Sequence, residues 1–135
     1  MKSTKTGWIR RALTSTALAG AITVPLATPA HAAYDTADGC YVSIPFVECS
    51  TSPSIYPHST QHWVLPRIWV YGTALCPVDW WIYDTYDGKR VRSGTVAINN
   101  YRSFTVYNLN ASHRYQLILK SYTCTILKAE LRNWT

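Results

Sequence analysis

The chain has 135 residues, of which 13 are Lys or Arg, seven are Asp or Glu and 47% are hydrophobic. This length suits a single domain, and the four cysteines set the chain apart from an ordinary reduced cytosolic protein. The formal net charge of +6 gives no support to a nucleic-acid partner, because four of the basic residues lie within the first 11 positions and a nucleic-acid site shows a clustered basic face.

Residues 1–32 have the layout of a secretory signal peptide. They open with four basic residues, Lys2, Lys5, Arg10 and Arg11. An uncharged stretch, 12–30, follows and leads to small residues at Ala30 and Ala32, the pattern that a signal peptidase reads. Several Thr and Ser and two prolines dilute this stretch, whereas a membrane span needs about 20 mostly apolar residues. We therefore expect general secretion to an extracellular location, cleavage before Ala33 and no membrane anchor after processing.

The four cysteines all lie in the expected mature part, at Cys40, Cys49, Cys76 and Cys124. An even number of cysteines in an exported domain of this size indicates disulfides, and no spacing resembles a zinc motif. Three pairings are possible. We favour Cys40 with Cys49 and Cys76 with Cys124, because the first pair encloses a short apolar segment, 41–48, that can turn back on itself.

The mature region has no helical periodicity and is rich in Val, Ile, Thr, Tyr and Trp, which favour strands. We interpret 33–62 as an N-terminal disulfide loop with a connection rich in Ser, Thr and Pro, and 63–135 as the main domain. Turn signals such as Asp87-Gly88 and Asn99-Asn100 divide that domain into runs of β formers. Their spacing predicts an all-β fold, a small antiparallel β-sandwich stabilised by disulfides.

Period-two alternation predicts which side chains face the core. Seven are assigned inward: Trp80, Ile82, Phe104, Val106, Tyr115, Leu117 and Leu119. Trp81 and Tyr83 then point outward from the same strand as Trp80 and Ile82. The short basic run at 89–92 is interpreted as a charged edge or turn that discourages strand-to-strand aggregation.

The stretch from Phe104 to Tyr115 carries alternating apolar residues, then Leu109, then a Tyr six positions later. It is similar to the corresponding segment of fibronectin type III and related immunoglobulin-like domains, and the similarity extends over about 76–132. The resemblance implies an immunoglobulin-like sandwich with a tyrosine corner, in which the Tyr115 hydroxyl bonds to backbone near Leu109.

Motifs for catalysis or metal binding are missing from the sequence. There is no Gly-x-Ser-x-Gly elbow and no phosphate-binding Gly-rich loop. Asp79 and Asp84 are five apart on one strand and so point to opposite faces. His58 and His62 have helical metal-ligand spacing but follow a proline, and His113 is expected to be a solvated loop residue. We predict no catalytic residue, cofactor or metal, with a small secreted enzyme lacking a recognisable motif as an alternative.

The aromatic content points to binding, because the mature part holds five of the six Trp and all ten Tyr, and Trp, Tyr and Arg dominate binding energy in interfaces. The candidate binding residues are Trp81, Tyr83, Arg67, Trp69 and Tyr71. Their expected partner is an extracellular protein or a polysaccharide.

The order Arg67-Ile68-Trp69-Val70-Tyr71 resembles the Trp-Arg-Tyr element of the tendamistat-type amylase inhibitors, although Arg here precedes both rings. This resemblance implies an inhibitor of a secreted enzyme, with a glycosidase such as amylase as one target. The alternative is a carbohydrate-binding or cell-surface-binding module that uses Trp81 and Tyr83.

Overall fold

The computed structural model describes residues 34–43, 48–72 and 74–135, so the predicted signal peptide lies outside the described residues. Within these ranges the secondary structure is eight β-strands: β1 Thr36–Gly39, β2 Glu48–Ser52, β3 Leu65–Val70, β4 Cys76–Asp84, β5 Lys89–Ile98, β6 Tyr101–Ser103, β7 Tyr115–Lys120 and β8 Ile126–Arg132. The predicted all-β class is confirmed. Across the described residues, no helix has the length and apolar character that crossing a membrane requires.

The strands form one antiparallel sheet in the order β5-β4-β7-β2-β1-β8-β3-β6. Its middle is weak, because β1 and β2 pair only at Asp38 with Ser52 and Gly39 with Thr51. Around this narrow connection the sheet folds over, and the buried side chains of both halves form one core. The result is the predicted small antiparallel sandwich, with β5-β4-β7-β2 on one side and β1-β8-β3-β6 on the other.

Both disulfides have the predicted pairing. Cys40 bonds to Cys49 with their Cα atoms 5.0 Å apart, and Cys76 bonds to Cys124 with a Cα separation of 5.9 Å. The first joins the end of β1 to β2, and the second joins the start of β4 to the loop before β8. The first bond therefore connects the two halves of the sheet, and the second attaches β4 to the segment that crosses from one half to the other.

The core contains the side chains that alternation placed there. Tyr115, Leu117 and Leu119 are fully buried on β7, and Ile82 and Val106 are buried opposite them. Trp80 and Phe104 are half-buried against this core, with their ring centroids 4.8 Å apart. Gly94 faces Trp80 across β4 and β5, and a Cβ at this position would lie 2.9 Å from the indole. The glycine makes room for the ring.

Tyr115 makes the corner that the sequence predicts. Its ring is buried, and its hydroxyl oxygen accepts a hydrogen bond from the backbone N–H of Asn110 at 2.9 Å and lies 3.3 Å from the Asn110 carbonyl oxygen. Leu109, the neighbour of Asn110, is 5% exposed. The loop before β7 is thereby fixed to the strand that follows it.

Residues 34–52 are part of the sheet, which differs from the expected main-domain start at 63. β1 pairs with β8 at Thr36 and Ala37, and β2 pairs with β7 at three positions. The signal for these strands is weak because they are only four and five residues long. The disulfide between Cys40 and Cys49 supplies the stability that their short sequences lack.

The β5 strand lies at one edge of the sheet and carries the basic run, as the sequence predicts. A four-residue turn, 85–88, connects it to β4, with Gly88 at a φ of 68°. The register shifts between Ile82 and Tyr83, so this edge is both charged and irregular. Both features oppose pairing with another chain.

Candidate binding surface

The β3 strand divides its side chains cleanly between core and surface. Pro66, Ile68 and Val70 are buried, whereas Arg67 and Trp69 are half-buried on the other side. This follows from the period of two along a strand, which places residues i and i+2 on one face. Two of the predicted binding residues therefore lie next to each other on the outer surface.

Two neighbouring strands complete this surface. Tyr101 of β6 and Lys128 of β8 are the cross-strand partners of Trp69, and Glu130 of β8 is the partner of Arg67. Side chains opposite each other in antiparallel strands are close enough to interact directly. We call the resulting surface the Arg67 face; its members are Arg67, Trp69, Tyr101, Lys128, Glu130 and Arg132.

The guanidinium of Arg67 packs on two aromatic rings. Its central carbon lies 5.0 Å from the ring centroid of Trp69 and 5.5 Å from that of Tyr101, and the two rings are 4.9 Å apart. Arg67 Nε also donates a hydrogen bond of 2.9 Å to the Tyr101 hydroxyl. This hydrogen bond raises the pKa of Arg67; burial alone would raise the pKa of Tyr101, but hydrogen bonds with Ser103 and Arg67 lower it.

Glu130 is the anionic centre of the face. Its carboxylate is buried and contacts three cations, with Lys128 Nζ at 2.6 Å, Arg132 Nη2 at 2.7 Å and Arg67 Nη1 at 3.2 Å. Burial alone would raise the pKa of Glu130, but the Lys128 hydrogen bond and the surrounding positive charges lower it. Glu130 therefore stays ionised and holds the cations in place.

Arg132 extends the face towards the C-terminus. Its guanidinium carbon lies 4.3 Å from the ring centroid of Trp134, whose indole N–H donates a hydrogen bond to Thr36 at 3.1 Å. Arg132 Nε is buried and has no hydrogen-bond partner among the described residues. This N–H is a donor that the folded chain leaves unused.

Tyr71 lies just beyond β3 and is 75% exposed. It does not join the aromatic cluster but lines an open pocket of about 670 Å³, together with Val70, Leu127 and the turn at Asn99 and Asn100. This turn immediately precedes Tyr101, and Leu127 immediately precedes Lys128. The pocket therefore lies at the end of β3, next in sequence to two members of the Arg67 face.

Trp81 and Tyr83 lie on the other half of the sheet. Both side chains are half-buried and share the outer side of β4, opposite Ile82. The guanidinium carbon of Arg90 lies 4.3 Å from the Trp81 ring centroid, and Arg90 is also paired with Glu48 at 3.4 Å. The five predicted binding residues therefore fall on two separate outer surfaces and do not form one site.

Sequence reasoning missed a hydrogen-bonded pair between a buried carboxylate and a histidine. The expectation that His113 is a solvated loop residue is wrong, because its side chain is 16% exposed and its Nδ1 lies 2.7 Å from Asp84 Oδ2. Asp84 faces inward from β4 and also accepts backbone N–H bonds from Tyr86 and Asp87. Burial alone would raise the pKa of Asp84, but the His113 and backbone hydrogen bonds lower it.

Asp84, Asp87 and His113 place possible ligand atoms within 4.8 Å of one another, but these atoms already have partners. Both carboxylate oxygens of Asp84 are engaged, Oδ1 with the Tyr86 and Asp87 amides and Oδ2 with His113. Asp87 Oδ2 lies 2.9 Å from Lys89 Nζ. His113 Nε2 lies 3.2 Å from Asn110 Nδ2, so both ring nitrogens are engaged. These contacts join the turn after β4 to the loop before β7, and each of these possible metal-ligand groups already contacts another protein group.

The sequence pattern did not identify four members of the Arg67 face: Tyr101, Lys128, Glu130 and Arg132. Tyr101 begins a strand of only three residues. This strand directly follows Asn99-Asn100, which the sequence marks as a turn. The aromatic and basic residues opposite Trp69 can be found only when the register of β6 and β8 is known.

No family model matches the chain, and no curated protein shows significant sequence similarity to it.

Proposed function

We propose that this chain is a secreted, non-catalytic binding protein that contacts another extracellular protein through the Arg67 face. The observation that carries the proposal is the Arg67 guanidinium, which lies over both Trp69 and Tyr101 on an outward-facing part of the sheet. Trp, Tyr and Arg are the residue types enriched among interface hot spots. The pairing of Arg67 with Glu130 does not itself require the two aromatic rings that pack on the guanidinium.

The cluster is already ordered for binding. Arg67 is held by Tyr101 and by Glu130, and Trp69 packs under Arg67 and lies 5.4 Å from Lys128 Nζ. Immobilising one flexible side chain on association costs roughly 0.5–1.5 kcal/mol. Because these side chains are held before a partner arrives, more of the contact energy remains available for affinity.

A protein partner is favoured over a polysaccharide by what covers the tryptophan rings. Sugar stacking needs a free ring face, yet each tryptophan in the described residues has a close neighbour over or against its ring: Trp63 has His58, Trp69 has Arg67 and Lys128, Trp80 has Phe104, Trp81 has Arg90, and Trp134 has Arg132. A mixed aromatic and cationic surface is typical of protein interfaces.

The two buried carboxylates support a non-catalytic role. Asp84 is occupied by His113 and two backbone amides, and Glu130 is occupied by three cations. Both have lowered pKa values, whereas a general acid at neutral pH needs a raised one. Their geometry suits a structural hydrogen-bonded pair at Asp84 and structural ion pairs at Glu130.

A secreted enzyme is the first class of partner to test, and the resemblance of 67–71 to the tendamistat-type inhibitors favours a glycosidase such as amylase. The protein is immobilised and exposed to culture supernatant, and retained proteins are identified by mass spectrometry. In parallel, its retention on insoluble polysaccharides is measured. A single captured protein that is lost with an Arg67→Ala/Trp69→Ser bait supports the proposal; retention on polysaccharide without any captured protein contradicts it.

A further inference from the structure

The formal charge of the Arg67 face equals the net charge of the expected mature chain. This face has three basic residues and one acidic residue, a formal charge of +2. Residues 33–135 contain nine basic and seven acidic residues in total. The six basic and six acidic residues outside the face therefore cancel in the formal sum, and the positive charge of the face favours a negatively charged partner there.

The face also retains hydrogen-bond donors that Glu130 does not use. A guanidinium has five N–H donors in a planar fork and donates two parallel hydrogen bonds to a carboxylate. Arg67 uses Nε on Tyr101 and Nη1 on Glu130, and Arg132 uses Nη2 on Glu130, so these contacts leave the N–H groups of Arg67 Nη2 and Arg132 Nη1 unused. A second carboxylate can bind without displacing the first.

An apolar contact lies close to this cationic centre. The pocket of about 670 Å³ beside the face is lined by the exposed Tyr71 and by Leu127, which is 46% exposed. Tyr71 is four residues beyond Arg67, which corresponds to about 13 Å of extended chain. A partner strand that bridges both features therefore needs an acidic residue and an apolar residue about four positions apart.

Building on the proposed function, we propose that the partner docks an acidic protein segment on this surface. A carboxylate of that segment binds Arg67 and Arg132, and an apolar side chain about four positions away enters the pocket at Tyr71. Charge complementarity and the adjoining pocket together define this chemistry.

Three blocked peptides test the proposal directly: Glu-Ser-Glu-Ser-Leu, its amide analogue Gln-Ser-Gln-Ser-Leu, and Glu-Ser-Glu-Ser-Ala. Each is titrated into the purified, disulfide-bonded protein, and the arginine Nε–H and tryptophan indole N–H signals are followed by NMR. We expect the first peptide to shift the signals of Arg67, Arg132 and Trp69 and to bind at least about tenfold more tightly than the amide analogue, as expected for charge-assisted hydrogen bonds. Inorganic sulfate is titrated in the same way, as a control for binding of any anion.

Matched variants separate this surface from general charge. Lys128→Gln removes a lysine packed on Trp69, and Lys120→Gln removes a lysine packed 4.8 Å from Tyr122 on the other half of the sheet. We expect Lys128→Gln to weaken the acidic peptide about two- to fivefold and Lys120→Gln to leave its affinity within about 1.5-fold. Tyr71→Ser should weaken the Leu peptide and leave the Ala peptide unchanged.

The outcomes distinguish the inference from the proposed function. Any of three results would overturn the acidic-segment inference. These are equal binding of the Glu and Gln peptides, equal effects of Lys128→Gln and Lys120→Gln, and sulfate binding as tight as that of the acidic peptide. If the captured protein is still lost with the Arg67→Ala/Trp69→Ser bait, the proposed function stands without it. If that capture is unaffected, the proposed function itself fails.

Discussion

His113 Nδ1 lies 2.7 Å from Asp84 Oδ2, and this pair connects two parts of the chain that are 29 residues apart. The turn after β4 and the loop before β7 are thereby held together. The Tyr86 ring packs on His113 with a centroid distance of 4.5 Å. Since Tyr115 fixes the same loop through Asn110, one end of the sandwich depends on these neighbouring contacts.

Replacing Asp84 should destabilise the fold. Asp84→Asn removes the charge that His113 and the amides of Tyr86 and Asp87 are arranged to bind, so we expect a loss of about 1–3 kcal/mol of unfolding free energy. Urea denaturation at neutral pH measures it. Asp79→Asn, on the outer side of the same strand, is the control and should cost less than about 0.5 kcal/mol. Equal losses in the two variants would show that the buried pair has no special role.

The same carboxylate predicts a pH dependence. Because the pKa of Asp84 is lowered in the folded state, its contribution is complete above the ordinary Asp value of about 3.9 and is lost as the pH falls through the lower folded-state value. Urea midpoints measured from pH 6 down to pH 2 should therefore decline less for Asp84→Asn than for the unmodified protein. Parallel declines would contradict the assignment.

The tyrosine corner predicts two unequal effects. Tyr115→Phe removes the hydroxyl that bonds to Asn110 and should cost about 1 kcal/mol, the net contribution of one hydrogen bond. Leu109→Ala truncates a buried side chain and should cost about 2–5 kcal/mol. Denaturant titration of both variants checks the order, and a neutral Leu109→Ala would place the loop outside the core.

The two disulfides should contribute unequally. The bonded cysteines are separated by nine and 48 positions in sequence. For loops of these lengths the chain-entropy model gives a stabilisation of about 2.7 and about 4.1 kcal/mol. The Cys76→Ala/Cys124→Ala variant should therefore have a lower urea midpoint than Cys40→Ala/Cys49→Ala. The reverse order would indicate that the short loop near β1 stabilises the junction of the two halves more than loop entropy predicts.

The core could be predicted from the sequence because it depends on local alternation. Leu117 and Leu119 recur with a period of two in a strand with no glycine or proline, so their face follows directly. The cysteine pairing followed from proximity in sequence and an even count. Trp80 was assigned to the core but is half-buried, because the indole fills the space that Gly94 leaves near the edge strand.

The surface sites depend on contacts that local patterns do not encode. Asp84 shares the strand face of Ile82 by alternation, but its partner His113 comes from a loop 29 residues away. Tyr101 meets Trp69 only because β6 and β8 flank β3 in the final strand order. Strand order is a property of the whole chain, so the sequence supplied Arg67 and Trp69 without the residues that complete their surface.

The most direct test of the central claim compares two double variants on opposite halves of the sheet. Arg67→Ala/Trp69→Ser alters the Arg67 face, and Trp81→Ser/Tyr83→Ser alters the outer side of β4. Affinity for the captured protein is measured by isothermal titration calorimetry, with melting midpoints confirming that both variants fold. We predict that the first variant binds at least about thirtyfold more weakly, a loss of about 2 kcal/mol, and that the second stays within about twofold. A thirtyfold loss in the second variant with none in the first would contradict the account and place the interface on Trp81 and Tyr83.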